Sequence, residues 1–156
     1  MKTKEKIIRT QMSLLLFILF PLMTGMSSCK KDKTLDIDIT KFSWTLKEVR
    51  TIDKTLKPEK KEYFREEAFI LKFDTDTTFI LNTSVNFAGG KYLITQKGKI
   101  TIVVYGESTQ VGAVDINEKE LNENLLTVFS YVDEYKVAGK TLTFKGEKGE
   151  VEFKRE

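Results

Sequence analysis

From Phe42 onward the chain alternates apolar and polar residues. Ser43, Thr45 and Lys47 separate Phe42, Trp44 and Leu46, a period of two that suits a strand with one face on a core and the other in water. The alternation returns at Phe69, Leu71 and Phe73 and resumes at Phe79 and Leu81 beyond Asp74-Thr75-Asp76, which predicts a hairpin. Tyr92 and Ile94, then Lys97-Gly98, then Ile100, Ile102 and Val104 predict a second one. Near the end, Tyr135 and Val137, Gly139-Lys140, Leu142 and Phe144, Gly146 to Gly149, and Val151 and Phe153 predict a three-stranded meander. Residues 51–67 are polar and include Pro58, so they read as a loop with a short helical turn at Glu59–Glu66.

One segment departs from the period of two. Asn117 and Glu120 have capping-box spacing, and Leu121, Leu125, Val128, Phe129 and Val132 fall on one helical face. A single amphipathic helix is predicted at about 117–131, its apolar stripe packed on the sheet rather than docked on a partner. Short antiparallel strands, about eight of them, and one helix imply a mainly β (α+β) fold: a small curled antiparallel sheet or a barrel-like closure. No repeat, low-complexity tract or Gly-rich phosphate loop interrupts it.

The first thirty residues are of another kind. Lys2, Lys4, Lys6 and Arg9 form a basic leader opposed only by Glu5, and Met12 to Met23 is an almost unbroken apolar run. That run suits the core of a secretory signal and falls short of the roughly 20 residues of a membrane-spanning helix. The segment Met26-Ser27-Ser28-Cys29 ends at the only cysteine, and it resembles the box of bacterial lipoprotein signals. The resemblance implies cleavage before Cys29, thioether lipidation of its sulfur and acylation of the new amino terminus. A conventional cleavage site beside an ordinary cysteine and an uncleaved anchor are the competing readings. The partition expected is therefore a signal peptide at 1–28, a lipidated tether at 29–40 and one domain at 41–156. Lys30-Lys31-Asp32, at the start of the tether, looks like the charged signals that send some lipoproteins to the cell surface.

Composition excludes more than it assigns. The leader holds four of the 26 basic residues and one of the 23 acidic ones, leaving 22 of each in the mature part. A charge-balanced domain offers no basic field for nucleic acid or anionic lipid. The chain has no histidine, which removes a Ser-His-Asp or Cys-His constellation and the usual acid-base group near pH 7. With Cys29 lipidated, no Cys/His metal set remains. Asp74-Thr75-Asp76 is the one tight acidic pair in a turn-like setting. It lacks the frame of a calcium loop, so a solvated hairpin turn is expected there, and no cofactor.

The order of motifs resembles the META domain family, the group of the heat-shock lipoprotein HslJ. The Trp44-Thr45-Leu46 strand opens it. Asn86, Gly90 and Tyr92 match its central signature in register, and Ser108-Thr109 follows the next strand. The helix from Glu120, the Tyr135–Phe144 hairpin and the closing Gly149 and Phe153 complete it, so the likeness covers about residues 42–156. Val85 and Ala113 stand where the family carries two cysteines; this domain must find in its core the roughly 2–4 kcal/mol a disulfide typically contributes.

Asn86, Gly90 and Tyr92 invite a binding site. The stronger expectation is structural: Asn86 in a left-handed turn, Gly89-Gly90 at positive φ, and Tyr92 beginning a strand. Ser108-Thr109 is expected to be a loop bonding its own backbone rather than a nucleophile. The leading expectation for function is a non-catalytic, monomeric envelope lipoprotein, held in the outer membrane by its lipid, that binds or supports another envelope component. A lipocalin-like small-ligand carrier is the alternative, and a carboxylate-dependent hydrolase the remote one.

Overall fold

Every predicted hairpin forms, and the sheet closes on itself. The structure, a computed structural model, describes residues 37–74, 76–108 and 115–155. Cys29 with its Met26-Ser27-Ser28 box, Lys30-Lys31-Asp32, Thr75, Thr109 and Ala113 lie outside the described residues. Nine strands follow one another: β1 (Trp44–Arg50), β2 (Thr55–Leu56), β3 (Ile70–Phe73), β4 (Thr78–Asn82), β5 (Phe87–Gln96), β6 (Lys99–Ser108), β7 (Val132–Ala138), β8 (Thr141–Gly146) and β9 (Gly149–Lys154). One helix, α1 (Ile116–Ser130), lies between β6 and β7. All pairings are antiparallel.

Closure comes from β1. One edge of it pairs with β9 from Thr45 to Arg50, while the other is shared by β3 at Trp44 and Thr45 and by β2 at Val49 and Arg50. The result is an eight-stranded antiparallel barrel with β2 as an extra strand. The two-residue turns suit the residues in them. Gly139, between β7 and β8, sits at φ 60, a region glycine enters without steric cost.

The inward positions of the alternation fill the barrel. Trp44, Leu71, Leu81, Leu125, Phe144 and Phe153 have no exposed surface. Phe129 of α1 stands at the centre, edge-on to Phe79 at 5.4 Å, Phe144 at 5.3 Å and Phe153 at 6.2 Å. Each such pair contributes about 0.5–1.5 kcal/mol beyond the area it buries.

Four local expectations are corrected. The helix starts at Ile116, and its cap is Asp115 rather than Asn117: the Glu118 N–H donates to Asp115 Oδ1 at 2.8 Å. A carboxylate there also meets the positive end of the helix dipole. Val132 belongs to β7. The 51–67 loop contains β2 where Thr55–Leu56 pairs with β1, and its expected helical turn is reduced to isolated turns such as Phe64 N–H to Lys61 O, 3.1 Å, with Phe64 packed against the core. The end of the expected tether is part of the domain. Ile39 is 1 % exposed, Asp38 caps a short 3-10 turn at Ile39–Lys41, and the Trp44 indole N–H donates to Ile39 O at 2.8 Å.

Candidate functional site

Three segments meet at the start of α1: the strap 57–69, the β4–β5 connection 83–86 and the first turn of the helix. Glu118, 4 % exposed, is the centre. Its carboxylate accepts from the buried Ser84 hydroxyl and from the Tyr63 hydroxyl at 3.0 Å, and Asn122 Nδ2 donates to Ser84 Oγ at 2.9 Å. Beside it, Lys61 Nζ lies 2.8 Å from Asp115 Oδ2. Desolvation and the bond to Glu118 push the Tyr63 phenol up to about 12. The bond from Lys61, then the Glu118 N–H, pull Asp115 down to about 2.

A serine beside a carboxylate has the parts of a nucleophile and a base. Here the serine has no exposed surface, and Glu118 is engaged on both oxygens, so the cluster pins the helix to the strap. The cluster is not evident from the sequence. The Asp115-x-x-Glu118 spacing was available as a signal; nothing near Ser84 in sequence pointed to a residue 34 positions away.

The strap is held at its far end by Phe69, which sits at φ 60, buried, with its ring 5.5 Å from Phe64. For a bulky residue that backbone geometry costs about 1–3 kcal/mol, which the burial of both rings offsets. Clefts of about 310 Å3 and 400 Å3 flank the strap; Leu121 lines the first, Leu46 and Phe69 the second, and Lys61 and Phe64 both.

The signature residues do not converge on either cleft. Trp44 opens β1 inside the barrel. Asn86 is buried in a tight turn: its N–H donates to Thr83 Oγ1 at 3.2 Å, and Thr83 N–H donates to Asn86 O at 3.0 Å. It is not left-handed, since Phe69 is the positive-φ residue other than glycine among the described residues. Gly89 and Gly90 are not turn residues at positive φ either; both lie inside β5. Gly90 is required by close approach, because a Cβ there would run into Val103 O and stand 2.7 Å from the Phe79 ring. Tyr92 is mid-strand, 5 % exposed and edge-on to Phe73 at 4.7 Å. Ser108 is not a loop residue: pairing with Phe87 makes it the last residue of β6.

Charge gathers on the outer face of β1 and β9. Arg50 bonds Glu48, Glu150 at 3.0 Å and Glu152 at 2.8 Å, and Lys47 lies 2.6 Å from Glu152. Burial alone would raise the Glu48 pKa, but Arg50 beside it outweighs that and holds it below the usual glutamate value. These carboxylates converge on a guanidinium, and no cluster of three metal-capable side chains occurs among the described residues.

The outer face of β4, β5 and β6 is richer in apolar side chains, although Ile80 and Phe87 line a cleft with Arg65, Glu66, Glu67 and Lys72. Ile80, Phe87, Leu93, Val103 and Tyr105 are 39 to 66 % exposed, on the very strands that bury Phe79, Leu81, Tyr92 and Ile102 inward. Gly89 lies between Ile80 and Gly106 in register, and Lys91 is paired with Val103. This is the most distinctive surface of the described residues, and alternation alone did not reveal it, since apolar residues occupy outward positions too.

The family model described as META domain matches residues 37–156. Among solved structures, the NMR structure of a protein from Burkholderia xenovorans is similar with a TM-score of 0.57, at 16 % identity, over 74 % of this chain and 81 % of that one. At that identity the likeness is one of fold. No curated protein matches the sequence.

Proposed function

The chain belongs to the META domain family, and from that membership we propose that it is a non-catalytic cell-envelope lipoprotein whose domain is a binding or supporting module. Anchorage rests on the N-terminal pattern of basic leader, short apolar run and Cys29 directly after Met26-Ser27-Ser28. Placement in the outer membrane, and at the cell surface through Lys30-Lys31-Asp32, belongs to the same proposal.

The observation that carries the binding role is the outer face of β4–β6, with its five large apolar side chains left in water. Large apolar side chains gathered on one exposed face support an interaction site. A lipocalin-like carrier needs a hollow barrel, and against it stands Phe129, which meets three phenylalanines on the axis. A carboxylate-dependent hydrolase needs two free facing carboxylates, and against it stands Arg50 between Glu48 and Glu152.

Acyl labelling with membrane fractionation tests the anchor. The wild-type chain is expected to take the label and sediment with membranes, and the Cys29→Ser chain to do neither; equal labelling of the two removes the lipoprotein reading. A photo-crosslinker at Tyr105 tests the face. If it traps neither protein nor lipid in intact cells, the binding role fails.

A further inference from the structure

We propose that the outer face of β4–β6 rests on the lipid surface to which Cys29 holds the chain. The inference deepens the lipoprotein reading and depends on it. Its first support is the face itself. Leu93, Val103 and Tyr105 are each more than half exposed, which suits shallow burial at a membrane interface, where aromatic and aliphatic side chains sit at the headgroup level. Lys91 is exposed in their midst and has no ion pair among the described residues. A lysine there can meet headgroup phosphates, which neutral and anionic phospholipids share.

Tether length is the second support. Eight peptide steps separate Cys29 from Ile37, a reach of at most about 28 Å. The ten residues of β5 alone are about 33 Å long. Ile37 therefore stays within a strand's length of the acylated residue. Tethering at that range gives an effective concentration of roughly millimolar, so even weak docking is well populated.

The place where the tether joins is the third. Ile37 and Ile39 pack on the core beside β3, and the Asp38 charge, with that of Asp76, adds to burial in raising the pKa of Tyr92. The contact of the Ile39–Lys41 turn with β3 places the entry of the chain on the side of the barrel to which β4 and β5 also belong. Because the mature charge is balanced, attachment should come from apolar burial and not from an anionic field.

With Cys29 acylated, an added cysteine is the only free thiol in the chain. Full-length lipidated Leu93→Cys, Tyr105→Cys and, across the barrel on β8, Lys145→Cys are labelled with a polarity-sensitive fluorophore and placed in vesicles of neutral phospholipid. Quenching by aqueous iodide is expected to fall by about twofold or more at positions 93 and 105, the effect of docking at an effective concentration near the dissociation constant, and to stay unchanged at 145. Adding anionic lipid should not alter it, and Val103→Asp should abolish the protection at 105 while leaving the melting temperature in place. Equal quenching at all three positions overturns the proposal and leaves the anchor standing. Protection that persists in soluble Cys29→Ser protein without vesicles overturns it in favour of a second copy. Protection seen only in native envelopes, and not in pure lipid, overturns it in favour of a protein. A chain that mass spectrometry finds unacylated removes the lipoprotein reading and this one together.

Discussion

The ring of Phe79 lies 2.7 Å from the point where a side chain on Gly90 would begin. Its neighbour Gly89 has no such constraint: a Cβ there would meet only Phe79 O, at 3.7 Å. Gly90→Ala should therefore destabilise by about 1–3 kcal/mol or more through overpacking. Gly89→Ala should be neutral or stabilising by up to about 1 kcal/mol, since glycine weakens a strand interior. Denaturant melts of the two variants check this, and equal losses would refute the assignment of Gly90 to packing.

Phe129 joins the helix to three strands through ring contacts. Truncating it to alanine removes a fully buried side chain and should cost about 3–5 kcal/mol. Calorimetry or urea unfolding would read the loss. A cost below about 1 kcal/mol would mean that the helix does not fill the barrel.

Ser84→Ala tests whether the buried cluster is structural. It takes a bond from the Glu118 carboxylate and leaves Asn122 Nδ2 short of an acceptor, so a loss of about 1.5–3 kcal/mol is expected. Faster hydrogen exchange in the first turn of α1 should accompany it; unchanged exchange would mean that the pin lies elsewhere.

Acid should act on Asp115. Its folded-state pKa of about 2 lies below the ordinary 3.8, so the stability it lends is full above about pH 4 and is lost as pH falls towards 2. Asp115→Asn should be less stable than wild type at neutral pH, and its melting temperature should fall less steeply across that window. Parallel acid limbs for the two proteins would contradict the link between Asp115 and Lys61.

Much of the fold was legible because strands announce themselves locally. Phe79 and Leu81, Leu142 and Phe144, and Val151 and Phe153 alternate as they pair, and Leu121, Leu125, Val128 and Phe129 are buried on the predicted helical face. The misses share a cause. The intrinsic freedom of Asn86 and of Gly89-Gly90 points to left-handed turn residues; Asn86 does sit in a tight turn, though not a left-handed one, while β5 runs through both glycines because pairing with β4 and β6 decides their backbone. In the 59–66 segment a short helical turn has little stability of its own, and Phe64 packs against the core instead.

The sequence by itself determined the family, the β character, the hairpin order and the helix between β6 and β7, because these depend on residue spacing along a few neighbouring positions. It also carries Cys29 directly after Met26-Ser27-Ser28, the sole thiol in a chain without histidine. Only the tertiary structure decided that β1 closes against β9, that Ser84 meets Glu118, and that Ile80, Phe87, Leu93, Val103 and Tyr105 share one exposed face. Those relations join residues far apart in the chain, and packing in three dimensions, not local preference, sets which side of a strand faces water.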